Sequence, residues 1–283
     1  MAAPAEAAAP PHDVAAEVKP AAPHVVPDAL CASDRRNLAP DALSFDERRN
    51  LALLCAAWAC SFSVLAASVA ALSVASKAVS PSRRLDTVPV ALILFATAVW
   101  NVPVAVALAR FGRTRTFVAC ALIGAGGGAI AAGAIARRSF GGLCAAALAL
   151  AVGNAAAQQY RFTAAELVPA ARKPMAISAV LSGGIVGAVV GPEYAKRARL
   201  LLPHTPYAGV FVVAAGVGAL NAALVGLVRF PAAARTAAWP APRELVAPPA
   251  RAVACAIAAL SWYVMTFLMT PVPLAMLAQA RQQ

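Results

Sequence analysis

Uninterrupted apolar runs dominate the pattern along this chain. Six lie between Leu51 and Val228, and a seventh runs from Ala252 to about Ala278. Each is roughly 20 residues with almost no charge, the length a helix needs to cross a hydrocarbon core of about 30 Å. A backbone in lipid must satisfy its own hydrogen bonds, which leaves helices or a closed barrel. The runs do not alternate apolar and polar residues as barrel strands do, so they predict helices. The expected fold class is all-α, a polytopic membrane helical bundle of about seven transmembrane helices. The spans read as Leu51–Ser76, Val88–Ala109, Phe117–Ala136, Phe140–Gln159, Met175–Tyr194, Tyr207–Val228 and Ala252–Ala278. Pro174 sits where the fifth begins, a position at which a missing N–H costs no helical bond.

The polar stretches divide the chain. Residues 1–48 are rich in Ala and Pro, carry scattered acids and are expected to be a disordered N-terminal tail. Residues 49–230 form the six-helix transmembrane bundle. Residues 231–250, again rich in Pro and Ala, form a linker at the inner face, and residues 251–283 carry the seventh helix. The tail has no apolar core of a secretory signal, so the first span is expected to target the chain itself.

Composition supports the membrane assignment and changes how charge is read. Hydrophobic residues make up 61% and charged residues 13% of the chain, about half the charged share of soluble domains. In a soluble protein a net charge of +12 would suggest nucleic acid. Here the arginines lie between apolar runs, where topology and anionic lipid account for them, so no nucleic-acid partner is expected. With the N-terminus inside, 15 of the 24 Lys and Arg residues fall on inner segments, which predicts a cytoplasmic N-terminus for an integral multi-pass protein.

Catalytic chemistry finds no support. His12, His24 and His204 lie outside the spans, and five of the six cysteines lie inside them without a Cys-x-x-Cys pair. No metal, cofactor or disulfide framework is expected, and no enzyme. The glycine-rich run at 124–128 is followed by no Gly-Lys-Ser/Thr, so it is not a phosphate loop.

Two motifs carry a resemblance. Arg110, Gly112 and Arg113 form a short basic turn between the second and third spans. That turn resembles the loop after the second helix of the major facilitator superfamily, whose pattern is Gly-x-x-x-Asp-Arg-x-Gly-Arg-Arg. Ala105 and Ala109 stand at the Gly and Asp of that pattern. In the fifth span Gly183, Gly187, Gly191 and Pro192 lie at four-residue spacing and look like the Gly-Pro signature of facilitator antiporters. Small residues so spaced let two helix backbones approach closely, so these residues are expected to form a packing seam. Glu166, the only acid in the inner loops between spans two and five, is expected to pair with Arg110 or Arg113 in place of the absent Asp. Stretches at 159–162, 176–192 and 269–276 also resemble a poorly characterised facilitator branch, the whole similarity running from about Arg48 to Gln279.

Asn154, Gln158 and Arg161 fall at i, i+4 and i+7 of the fourth span, one helix face. Polar groups are expensive in lipid, which turns that face toward the bundle interior. The first and fourth helices line the central cavity in facilitators, so the resemblance makes these three residues substrate-cavity candidates, faced by Ser61 and Ser68 of the first span and Tyr263 of the seventh.

What the resemblance implies is a secondary transporter moving a small solute across the lipid bilayer by alternating access. Full members have twelve spans. The seven here imply a truncated chain, or one that pairs with a second copy or with the missing C-terminal half. The alternative is a non-transporting scaffold or regulatory subunit derived from a transporter half. No carboxylate lies mid-span, so nothing points to a proton relay.

Overall fold

The computed structural model describes residues 43–202, 205 and 207–230. These residues are helical with no strand: α1 (Phe45–Val79), α2 (Val88–Phe111), α3 (Arg113–Ala136), α4 (Phe140–Gln158), α5 (Tyr160–Glu166), α6 (Lys173–Ala198) and α7 (Ala208–Gly226). The short α5 extends α4 beyond Gln159, so the described residues hold six helical spans long and apolar enough to cross a membrane. The expected seventh span, the linker at 231–250 and the tail before residue 43 lie outside the described residues.

Local sequence explains the element ends. Helix α1 starts at Phe45, ahead of the hydropathy edge at Leu51. Ser44 Oγ accepts from the Glu47 N–H at 3.2 Å, and Glu47 Oε2 accepts from the Ser44 N–H at 2.8 Å. This capping box satisfies two donors that would otherwise be orphaned. Between α2 and α3 the chain turns on one residue, Gly112, at φ 83°, a conformation that only glycine adopts without steric cost. The Thr116 hydroxyl then bonds back to Ala107 O at 3.0 Å, which holds the two helix ends together.

The helices run up and down. One end of the bundle holds the starts of α1, α3 and α6 and the ends of α2, α5 and α7. Helix α1 is central: it packs along α6 and α7 and also touches α4, while α3 packs between α4 and α7, and α2 lies on α4. Two apolar clusters fill the interior. Leu54, Phe117, Tyr160, Val180 and Val225 belong to the one at the Arg113 end. Leu72, Ile93, Leu143 and Phe211 belong to the one at the far end. Large apolar side chains on the rim, among them Phe95, Val102, Ile185 and Val189, are exposed, as befits a surface whose solvent is hydrocarbon.

Association rests on close backbone approach, because lipid tails leave little hydrophobic drive between helices. Along α6, a Cβ at Gly187 would lie 2.5 Å from Ala59 O of α1, and one at Gly191 would lie 2.7 Å from Ser63 O. Gly183 faces Cys55 O in the same line. Tyr194 continues this contact, its hydroxyl donating to Ser63 O at 3.3 Å. A second close approach uses the glycine-rich run of α3: a Cβ at Gly127 would lie 2.8 Å from Leu150 N of α4.

The chain leaves α7 under restraint. Asn50 Nδ2 of α1 donates to Arg229 O at 3.0 Å, and the Arg229 N–H donates to Asn50 Oδ1 at 3.2 Å. The buried amide thus pairs with the backbone as a neighbouring strand would. Arg49 Nη2 adds a bond to Leu227 O at 3.4 Å, and the Phe230 ring lies 6.1 Å from that of Phe117.

Candidate functional site

Between the two apolar clusters lies a polar layer surrounding a small cavity of about 40 Å3. Helix α1 contributes Ser61 and Ser68, α4 contributes Asn154, and α7 contributes Asn221. Beside it Gly124 and Gly153 let α3 cross close to α4, a Cβ on either glycine standing 3.1 Å from the other's Cα. The remaining lining is aliphatic or small, and no charged side chain among the described residues faces the cavity.

The hydrogen bonds of this layer cross between helices. Asn221 Nδ2 donates to Ser61 Oγ at 2.9 Å and to the Tyr160 hydroxyl at 3.2 Å. Tyr160 is fully buried and meets the Phe117 ring edge-on at 5.0 Å. On the α2 side, Asn154 Nδ2 donates to Thr97 Oγ1 at 3.2 Å, and Thr97 gives its own proton to Ile93 O at 2.7 Å. One turn along, Gln159 Nε2 reaches Asn101 Oδ1 at 3.4 Å. Ser68 is different. It is 1% exposed, and its hydroxyl has no partner among the described residues, an arrangement that costs about 1–3 kcal/mol if left dry.

Of the six substrate-cavity candidates, Ser61, Ser68 and Asn154 share this cavity, whereas Gln158 and Arg161 do not line it. Gln158 is a turn nearer the Arg113 end. At Gln159 the ladder tightens, its N–H bonding to Ala156 O at 3.0 Å, and the helix restarts as α5. Arg161 therefore leaves the Asn154 face: its guanidinium lies 4.8 Å from the Phe162 ring centroid, and its Nε is buried without a hydrogen-bond partner among the described residues. Tyr263 lies outside the described residues.

Sequence reasoning missed Asn221, Tyr160 and Thr97. The first had a signal: it is an amide in the middle of the apolar sixth span, subject to the same rule that singled out Asn154. Tyr160 and Thr97 had none, because a tyrosine or threonine can sit in a span without a partner helix to bond.

At the Arg113 end, Arg113 Nη1 and Glu166 Oε2 form an ion pair joining the start of α3 to the end of α5. Arg110 takes no part in it. Pro192 lies inside α6, followed by Glu193, which pairs with Arg197 at 3.1 Å and Lys196 at 3.6 Å. Among the described residues no group of His, Cys, Asp and Glu is placed to hold a metal ion.

Comparison with known proteins gives one informative relative. No family model matches the chain, and no solved structure matches it. The riboflavin transporter RfnT of Brucella anthropi is 33% identical over 202 residues. That alignment covers 70% of this chain and 51% of the relative, so the chain spans about half the length of the curated relative it matches. The chain is an integral, multi-pass helical membrane protein with a transporter among its relatives.

Proposed function

We propose that this chain is one bundle of a secondary transporter of the major facilitator type, moving a small solute by alternating access. The observation that carries the reading is the 33% identity to a riboflavin transporter over 202 residues. The polar layer at mid-depth supports it, because in two-bundle transporters the solute meets groups near the bilayer midplane. Ser61, Ser68 and Asn154, with Asn221, are the proposed solute-side groups; Gln158 and Arg161 are proposed to serve a wider, opened form of the same cleft. A cavity of about 40 Å3 is far below the roughly 300 Å3 that a drug-sized solute fills. The six helices therefore supply one wall, and a second bundle, from further chain or from another copy, supplies the other. The proposed solute is flavin-like: uncharged at its ring and rich in hydroxyl and amide groups, which suits a lining of hydroxyls and amides without charge.

The test is uptake. Expressed in a bacterial strain that neither makes nor imports riboflavin, the protein should lower the riboflavin concentration needed for growth, and Asn154→Leu should abolish that rescue. An unchanged requirement with the protein present in the membrane would reject the flavin reading. Failure of purified protein in vesicles to take up any of a panel of neutral solutes would reject transport by this chain alone.

A further inference from the structure

We propose that the mid-bundle cavity is a hydrated site, holding ordered water among residues of α1, α2, α3, α4 and α7. The inference rests on volume and on unfilled hydrogen-bonding capacity, and it stands whether or not the chain carries a solute. A cavity needs at least roughly 10–15 Å3 of accessible volume to admit a water, and this one offers about 40 Å3. An empty cavity of that size persists when its walls are apolar; this one is polar at four points.

Three of the four leave capacity unused. The Ser68 hydroxyl, 1% exposed, neither donates nor accepts among the described residues. Ser61 is the exception, because its Oγ accepts from Asn221 and also hydrogen-bonds the Tyr160 hydroxyl. Asn154 donates one N–H to Thr97, and its Oδ1 accepts nothing among the described residues. Asn221 Oδ1 is met only by the Tyr160 hydroxyl, at the long distance of 3.5 Å. A water needs two to four polar partners, and Ser68 with the two amides supplies them.

The test uses the waters themselves as the probe. Radiolysis of the full chain in lipid nanodiscs generates hydroxyl radicals from water beside the side chains it touches. Ile93 (1% exposed) and Leu150 (7%) border the cavity, whereas Leu72 and Leu143 (both 0%) belong to the same apolar cluster but do not line it. The expected result is oxidation of Ile93 and Leu150 several-fold faster than of Leu72 and Leu143. In Ser68→Val, which fills the space and removes a polar partner, their oxidation should fall to the Leu72 level. Equal, slow oxidation of all four residues in the unsubstituted protein would overturn the proposal without need of any variant. Undiminished oxidation in a folded Ser68→Val protein would also overturn it, because the radicals would then come from bulk solvent.

Discussion

Asn221 of α7 and Ser61 of α1, 160 positions apart in the chain, are joined by a 2.9 Å hydrogen bond at the depth where both apolar clusters end. The same amide holds the Tyr160 hydroxyl, so three helices meet at one side chain.

Asn221→Leu should therefore destabilise the bundle by about 1–3 kcal/mol, the cost of leaving the buried Tyr160 hydroxyl and Ser61 without their partner. Tyr160→Phe should cost less, because it removes the stranded group together with its bond. Thermal unfolding of the two single variants and the double variant in detergent measures the coupling. Strictly additive losses would show that the amide and the phenol act independently.

Gly187→Leu should prevent the folded bundle from forming, since even a Cβ there would sit 2.5 Å from Ala59 O. Gly133→Ala is the control: it lies in α3 with no atom within 4 Å of the added methyl, and helix propensity favours alanine by up to about 1 kcal/mol. Membrane yield and melting temperature should fall for the first and hold or rise for the second. Normal behaviour of Gly187→Leu would mean that α6 does not depend on close contact with α1.

Breaking the ion pair between Arg113 and Glu166 should cost about 1–2 kcal/mol, because Glu166 is 46% exposed while the Arg113 side chain, only 19% exposed, loses its partner. A further expected effect is on the balance between conformations. Glu166→Gln should change the rate at which a cysteine at Thr163 reacts with a water-soluble maleimide, and Arg113→Glu combined with Glu166→Arg should restore it. A rate unmoved by Glu166→Gln would remove any conformational role.

Asn50→Ala should free the exit of α7. The Arg229 N–H donates to the Asn50 side chain, so its hydrogen exchange should accelerate strongly in the variant while amides in the middle of α7 keep their protection. Equal rates in both proteins would show that the bond is not maintained in the membrane.

The spans were legible because a helix in lipid must be apolar over a fixed length, and that requirement acts on sequence directly. Their ends were less so. Hydropathy placed the start of α1 at Leu51, while the helix begins at Phe45 because Ser44 and Glu47 cap it, a spacing visible in the chain but outside the apolar window. Gly183, Gly187 and Gly191 were visible as a stripe; that the stripe meets Cys55, Ala59 and Ser63 is a tertiary fact that spacing does not contain. The helical wheel carried Asn154, Gln158 and Arg161 on one face because it assumed an unbroken ladder, and the tightened turn at Gln159 divides them. Asn221 escaped because it is a single amide with no periodic companion.

The bonds from Asn50 to Arg229 have a consequence for how this unit can be handled as a gene segment. They bring the last residues of the six-helix unit to within two turns of its first, at one corner of the bundle. Entry and exit of the polypeptide are thus adjacent, a geometry that tolerates insertion into another chain or relocation of the ends. A short peptide from Phe230 to Leu43, with new termini cut at the turn around Arg137 and Arg138, should yield a permuted bundle with the same packing. The order in which these helices are encoded is then separable from the order in which they pack, and the unit behaves as a cassette.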